Sequence, residues 1–141
     1  MPLASGNNLR EQYGYRITGE DGYFDSFELA IFDGYRPRNI ETPLYQSPLV
    51  VFSLPSPWAI YDSRYGTIGL TSQTETTTKA GEARFFRLIG IKSGTPYPLI
   101  QGTIGKVGAG ADISVTTTGW PLGLPVTLDS FTIYPPPASN P

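Results

Sequence analysis

The 141-residue chain contains no cysteine and no histidine. The first absence excludes disulfides, a thiolate nucleophile and a zinc knuckle. The second removes the commonest general base and metal ligand. Charge is also scarce: acidic and basic residues make up 16% of the chain, against a usual share of about a quarter, and the formal net charge is -2. No dense lysine or arginine cluster occurs, so no surface is expected that would neutralise phosphates, and no nucleic-acid partner is expected. The longest apolar runs fall far short of the roughly 20 residues a membrane helix needs. The start, Met1-Pro2-Leu3-Ala4-Ser5, lacks the basic and apolar regions of a secretory signal. A soluble protein made in a cytoplasm, with no membrane partner, is the expectation.

What the chain does have is glycine and proline, 16 and 14 residues, which place much of the backbone in turns and extended segments. The length fits one domain with a sizeable core. Short, partly alternating segments separated by turn residues argue for antiparallel strands. Ser26–Phe32 puts Phe27, Leu29 and Ile31 on one face, and Asp33-Gly34 turns the chain. From Arg36 to Pro48 the prolines argue against a central strand. Leu49–Leu54 resumes as a strand and is cut off by Pro55-Ser56-Pro57. Trp58–Tyr61 and Tyr65–Leu70 form an aromatic-rich connection with a further short strand. Thr71–Gly81, polar and almost free of apolar residues, reads as an exposed edge strand or a mobile loop.

Ala83–Ile91 is the most apolar strand, with Phe86 and Leu88 on one face and Phe85 and Ile89 on the other. Arg87 inside it is expected to pair with a carboxylate or lie across an aromatic ring. Tyr97–Gly105 and Ala111–Thr117 follow, joined by a hairpin connection through Lys106–Gly110. In the last strand the inward parity shifts between Leu128 and Phe131, which predicts a β-bulge at Asp129-Ser130. Pro135-Pro136-Pro137 cannot enter a sheet and reads as a polyproline tail. The pattern predicts an all-β antiparallel sandwich, jelly-roll or immunoglobulin-like, over residues 25–134. An extended N-terminal arm (1–24) precedes it and a proline-rich tail (135–141) follows.

Catalytic readings find little support. Gly105-Lys106-Val107-Gly108-Ala109-Gly110 resembles a phosphate loop only superficially, because valine follows the lysine and a strand follows the loop. Glu20-Asp21-Gly22 and Asp33 lack the ligand spacing of a calcium loop, and turn chemistry explains them. No carboxylate pair is fixed across a cleft, so hydrolysis is a remote third reading. No catalytic residue, metal or cofactor is expected. The arm's Tyr13, Tyr15, Arg16 and Tyr23 are candidate partner contacts, since tyrosine supplies amphipathic area at interfaces; a short hairpin on the chain's own sandwich is the equal alternative. Trp58, Tyr61, Tyr65 and Trp120 are candidate glycan or partner contacts if exposed, against a role at the core rim.

Phe85-Phe86-Arg87-Leu88, Gly102-Thr103-Ile104-Gly105, Gly110-Ala111-Asp112-Ile113 and Val126–Ile133 together resemble small all-β structural proteins of tailed bacteriophages and prophages. The resemblance covers roughly the last 60 residues, supported by Leu29–Gly34. It implies a non-enzymatic virion component, a capsid decoration or neck protein made in the bacterial host cytoplasm. Such a protein would be a homo-oligomer binding other virion proteins of the capsid, neck or tail. The long N-terminal arm and the Thr-rich loop depart from the group's shorter pattern. The rival expectation is a carbohydrate-binding module or tail-tip receptor-binding protein using exposed Trp and Tyr rings.

Overall fold

The computed structural model describes residues 6–62, 64, 67–70, 73–128 and 132–133, with the backbone alone for 6–11, 67–70, 128 and 132–133. The fold is mostly β, with one helix among the described residues, α1 (Gly6–Thr18), and a curled mixed sheet. The main sheet has the order β2 (Val50–Leu54), β1 (Ser26–Phe32), β7 (Phe85–Lys92), β8 (Thr95–Lys106), β9 (Ile113–Val115). Over it lie β3 (Ala59–Asp62), paired with β4 (Thr67–Leu70), and three further partnerships. These are β4 with β12 (Thr132–Ile133), β5 (Gln73–Thr76) with β11 (Pro125–Leu128), and β6 (Gly81–Glu82) with β10 (Gly119–Trp120).

The alternation in β1 does what its period requires. Leu29 stands opposite Phe52 on β2 and Leu88 on β7, and Leu88 stands opposite Ile100 on β8, so one apolar row crosses four strands. Leu29, Phe52 and Leu88 are buried with Phe27, Ile31, Phe86 and Ile113 in the main core. Each fully buried side chain of this size contributes about 1.5–3 kcal/mol. The opposite face of the same strands carries a second, smaller core in which Phe32 stacks on Phe85 at 5.1 Å, beside Ala30. Both faces of β1 and β7 are therefore covered, which explains why Ala83–Ile91 reads as apolar on both parities.

Ser93-Gly94, both at positive φ, close the two-residue turn between β7 and β8. Leu88 faces Ile100 but Ile89 faces Pro98, so Leu99 is an extra residue and β8 carries a bulge there. The bulge expected at Asp129-Ser130 and the proline tail at 135–141 lie outside the described residues.

One connection differs from expectation. Instead of a hairpin, β9 runs parallel to β8, with Ile104 opposite Ile113. Parallel neighbours usually need a crossover of a dozen or more residues; here residues 107–112 suffice. The Asp112 carboxylate accepts hydrogen bonds from the Thr103 amide at 2.9 Å and the Thr103 hydroxyl at 3.1 Å. The Asp112 amide donates back to that hydroxyl. These bonds fold the loop back along β8 before β9 begins, and glycines at φ +90° and +76° (Gly108, Gly110) permit the reversal.

The segment read as an extended arm is also different. Residues 6–18 are helical, and the helix packs on β3 and β4 of its own domain. Tyr13 and Ile17, four residues apart, face the core, and Gly14 crosses the Tyr61 ring with no space for a Cβ. Gly19, at φ +88°, ends the helix in the left-handed conformation. Two of the carbonyls left over at that end are taken by one residue: the Trp58 indole donates to Ile17 O at 2.7 Å and the Trp58 amide to Thr18 O at 3.0 Å.

Candidate interaction surface

The loop between β1 and β2, residues 33–49, covers the second face of the main sheet. Its prolines keep it out of the ladder, as the sequence requires, yet it is not loose. Leu44 packs against the Ala30, Phe32 and Phe85 cluster. At its base, the Gln46 side chain donates to Asp33 O at 3.4 Å, while Lys79 donates to Ser47 O at 3.3 Å and lies 3.7 Å from the Asp33 carboxylate. Asn39 organises the middle: its side-chain oxygen accepts from the Glu41 amide and its carbonyl from the Thr42 amide.

Two sheet residues hold that middle from beneath. Arg87 donates to Thr42 O at 3.0 Å and to the Gln101 side-chain oxygen at 3.0 Å. The Gln101 amide donates in turn to Pro37 O. Arg87 is 6% exposed, and burial pulls its pKa below the ordinary value. The carboxylate or ring contact expected for Arg87 is corrected here: neutral oxygens hold it, because the residues it meets on this face are loop carbonyls and an amide.

What the clamped loop offers to solvent is Tyr35, Arg36, Arg38 and Tyr45. The two tyrosines are 97% and 93% exposed. Arg36 and Arg38 are exposed and form no ion pair among the described residues. Next to Tyr35 a depression is lined by Asp33, Glu82 and Arg84. Sequence reading passed over these tyrosines as loop residues. The available signal was that each sits among turn formers and prolines with no alternating apolar neighbours to bury it.

The residues singled out from sequence lie elsewhere. Trp58, Tyr61 and Trp120 are 4%, 5% and 4% exposed. They therefore offer no ring face for stacking on a sugar. Trp58 caps α1, and the Trp120 indole donates to Thr117 O at 2.7 Å. Tyr65 lies outside the described residues. The arm's candidates are brought together, but by contacts within the chain. Tyr13 is packed against the main core and its phenol pKa is raised by burial. Tyr15 meets Tyr61 edge to face at 5.4 Å. Arg16 pairs with Asp21 at 2.6 Å and lies 3.9 Å over the Tyr23 ring, which Lys92 also approaches to 4.3 Å. Tyr15, Arg16 and Tyr23 keep part of their surface in solvent.

No protein-family model matches the chain, and comparisons with curated proteins and with solved structures return no match. The functional reading therefore rests on the chain's own residues.

Proposed function

We propose that the chain is a non-enzymatic structural component of a tailed-phage virion, a β-sandwich of jelly-roll or immunoglobulin-like type that binds neighbouring capsid or neck proteins and decorates or stabilises them. The observation that carries this reading is the presentation of Tyr35 and Tyr45, almost wholly exposed beside Arg36 and Arg38, on a loop held from beneath by Arg87 and Gln101. Tyrosine and arginine are the side chains that most often anchor protein interfaces. A loop already fixed on its sheet loses little conformational entropy when it docks. A place in a symmetric particle would present the same loop many times, as a homo-oligomer or as single copies on a lattice. The carbohydrate-binding alternative is the weaker one, because the Trp58, Tyr61 and Trp120 rings it needed are in the core.

The test uses particles purified from a strain deleted for this chain, incubated with the tagged protein and sedimented. The wild-type chain is expected to sediment with them. The double variant Tyr35→Ala/Tyr45→Ala is expected to bind at least tenfold less with an unchanged unfolding midpoint. Equal binding of the double variant, or no binding of the wild type, overturns the proposal.

A further inference from the structure

Residues of β9 and β11 line the two sides of one groove. Among the described residues β9 has β8 as its single neighbour and β11 has β5. β5 lies beside β2, at the opposite edge of the main sheet, so the sheet curls until β11 and β9 come to the same rim. Between them runs a groove of about 490 Å³, lined by Ile113, Ser114 and Val115 on one side and Val126 and Thr127 on the other, with Trp120 in its wall.

Exposed edges in natural proteins are commonly guarded by lysine, other charges, proline or a bulge. From Ile113 to Leu128 this sequence has no charged residue at all, and the one proline within either strand is at the first position of β11. Both walls are uncharged and carry strand edges that have no further neighbour among the described residues, which is the geometry that receives an added strand.

We propose that this groove receives the N-terminal segment Met1–Ser5 of a second copy of the chain, paired to β9 and β11 together. The inference rests on the assembly reading above and names its self-contact. Three observations select this occupant. No charged side chain precedes Arg10, so the segment matches an uncharged groove. Five extended residues span about 17 Å at roughly 3.4 Å each, enough to run the length of either edge. Each proline removes a donor that a strand between two edges needs; Met1–Ser5 has one, Pro2, next to its end, whereas Tyr134–Pro141 has four in eight positions, three of them consecutive. Met1–Ser5 lead into α1, which packs on β3 and β4, and neither strand lines the groove. A donor from a second copy is therefore the fitting source, and reciprocal exchange gives a closed dimer.

The experiment is light scattering on three chains: full length, a deletion of Met1–Ser5, and Ser114→Lys/Thr116→Lys, whose two positions are solvent-exposed. The full chain is expected to be oligomeric and both variants monomeric, with circular dichroism and unfolding midpoints confirming that the variants fold. A labelled Met1–Leu9 peptide is expected to bind the deletion variant, and its binding to a deletion chain that also carries the lysine pair is expected to fall at least tenfold. An oligomer that survives the lysine pair overturns the groove as the seat, leaving the assembly reading in place. A monomeric full chain overturns the exchange, and particle binding then decides the assembly reading separately. A monomer that the deletion destabilises shows the segment closing its own groove and also overturns the proposal.

Discussion

Arg87 on β7 and Gln101 on β8 stand opposite each other, and the Arg87 guanidinium donates to the Gln101 side-chain oxygen at 3.0 Å. Each then reaches one carbonyl of the covering loop, Arg87 that of Thr42 and Gln101 that of Pro37. A cross-strand pair in the sheet thus fixes a loop that contributes no strand to it. Arg87→Met keeps the aliphatic bulk and removes the donors, leaving two part-buried acceptors without this partner. The expected cost is about 2–3 kcal/mol in urea unfolding. Amides of residues 37–44 should also exchange faster with deuterated solvent. An unchanged exchange profile would mean that Leu44 packing and the loop's other hydrogen bonds hold it without Arg87.

At the crossing of α1 over Tyr61, propensity and packing oppose each other. Alanine at position 14 gains about 1 kcal/mol of intrinsic helix preference over glycine. Its Cβ would collide with the Tyr61 ring, however, and overpacking costs about 1–3 kcal/mol. Gly14→Ala is therefore expected to lower stability, and a rise in the unfolding midpoint would contradict the docked helix. The Tyr61 hydroxyl is buried without a hydrogen-bond partner among the described residues. Tyr61→Phe is expected to be neutral or stabilising by up to about 1 kcal/mol.

The two tryptophans are expected to behave as structural residues. Trp120→Ala should cost about 3–5 kcal/mol through the cavity it leaves. Trp58→Phe should cost about 1–3 kcal/mol, because Ile17 O loses its buried donor. Calorimetry of both variants checks these values. Normal stability in either would put the ring back on the surface and reopen glycan stacking.

Tyr13 gives a pH signature. Burial raises its pKa above the ordinary value of about 10, so the folded chain holds the phenolic proton at pH values where the unfolded chain has released it. Its contribution is complete below pH 10 and is lost as pH rises through the folded value. Stability of the wild type is expected to fall more steeply above pH 10 than that of Tyr13→Phe. Parallel curves would mean that the phenol is in water.

How far these features were legible depends on how local their causes are. β1, β2 and β7 could be read because side-chain alternation is a local consequence of strand geometry, and the prolines at 37, 43 and 48 marked the loop for the same reason. α1 was missed because the inward positions among its described side chains, Tyr13, Gly14, Ile17 and Thr18, include only two large apolar residues, too few to reveal a 3.6-residue period. The parallel β9 depends on Asp112 finding Thr103, a tertiary bond that no spacing rule contains. Flanking prolines left Trp58 and Trp120 readable either as exposed rings or as core-rim residues, and the choice rests on tertiary backbone acceptors, Ile17 O and Thr117 O, that satisfy the buried indoles. Conversely, Tyr35 and Tyr45 are exposed because Leu44 fills the site beneath the loop.

The central claim concerns the particle, and the most direct measurement is quantitative mass spectrometry of gradient-purified particles from the strain that encodes this chain. The account predicts peptides of the chain at a fixed, multi-copy ratio to the major capsid protein, retained through the gradient. Particles that lack the chain while the cell lysate contains it would contradict the account.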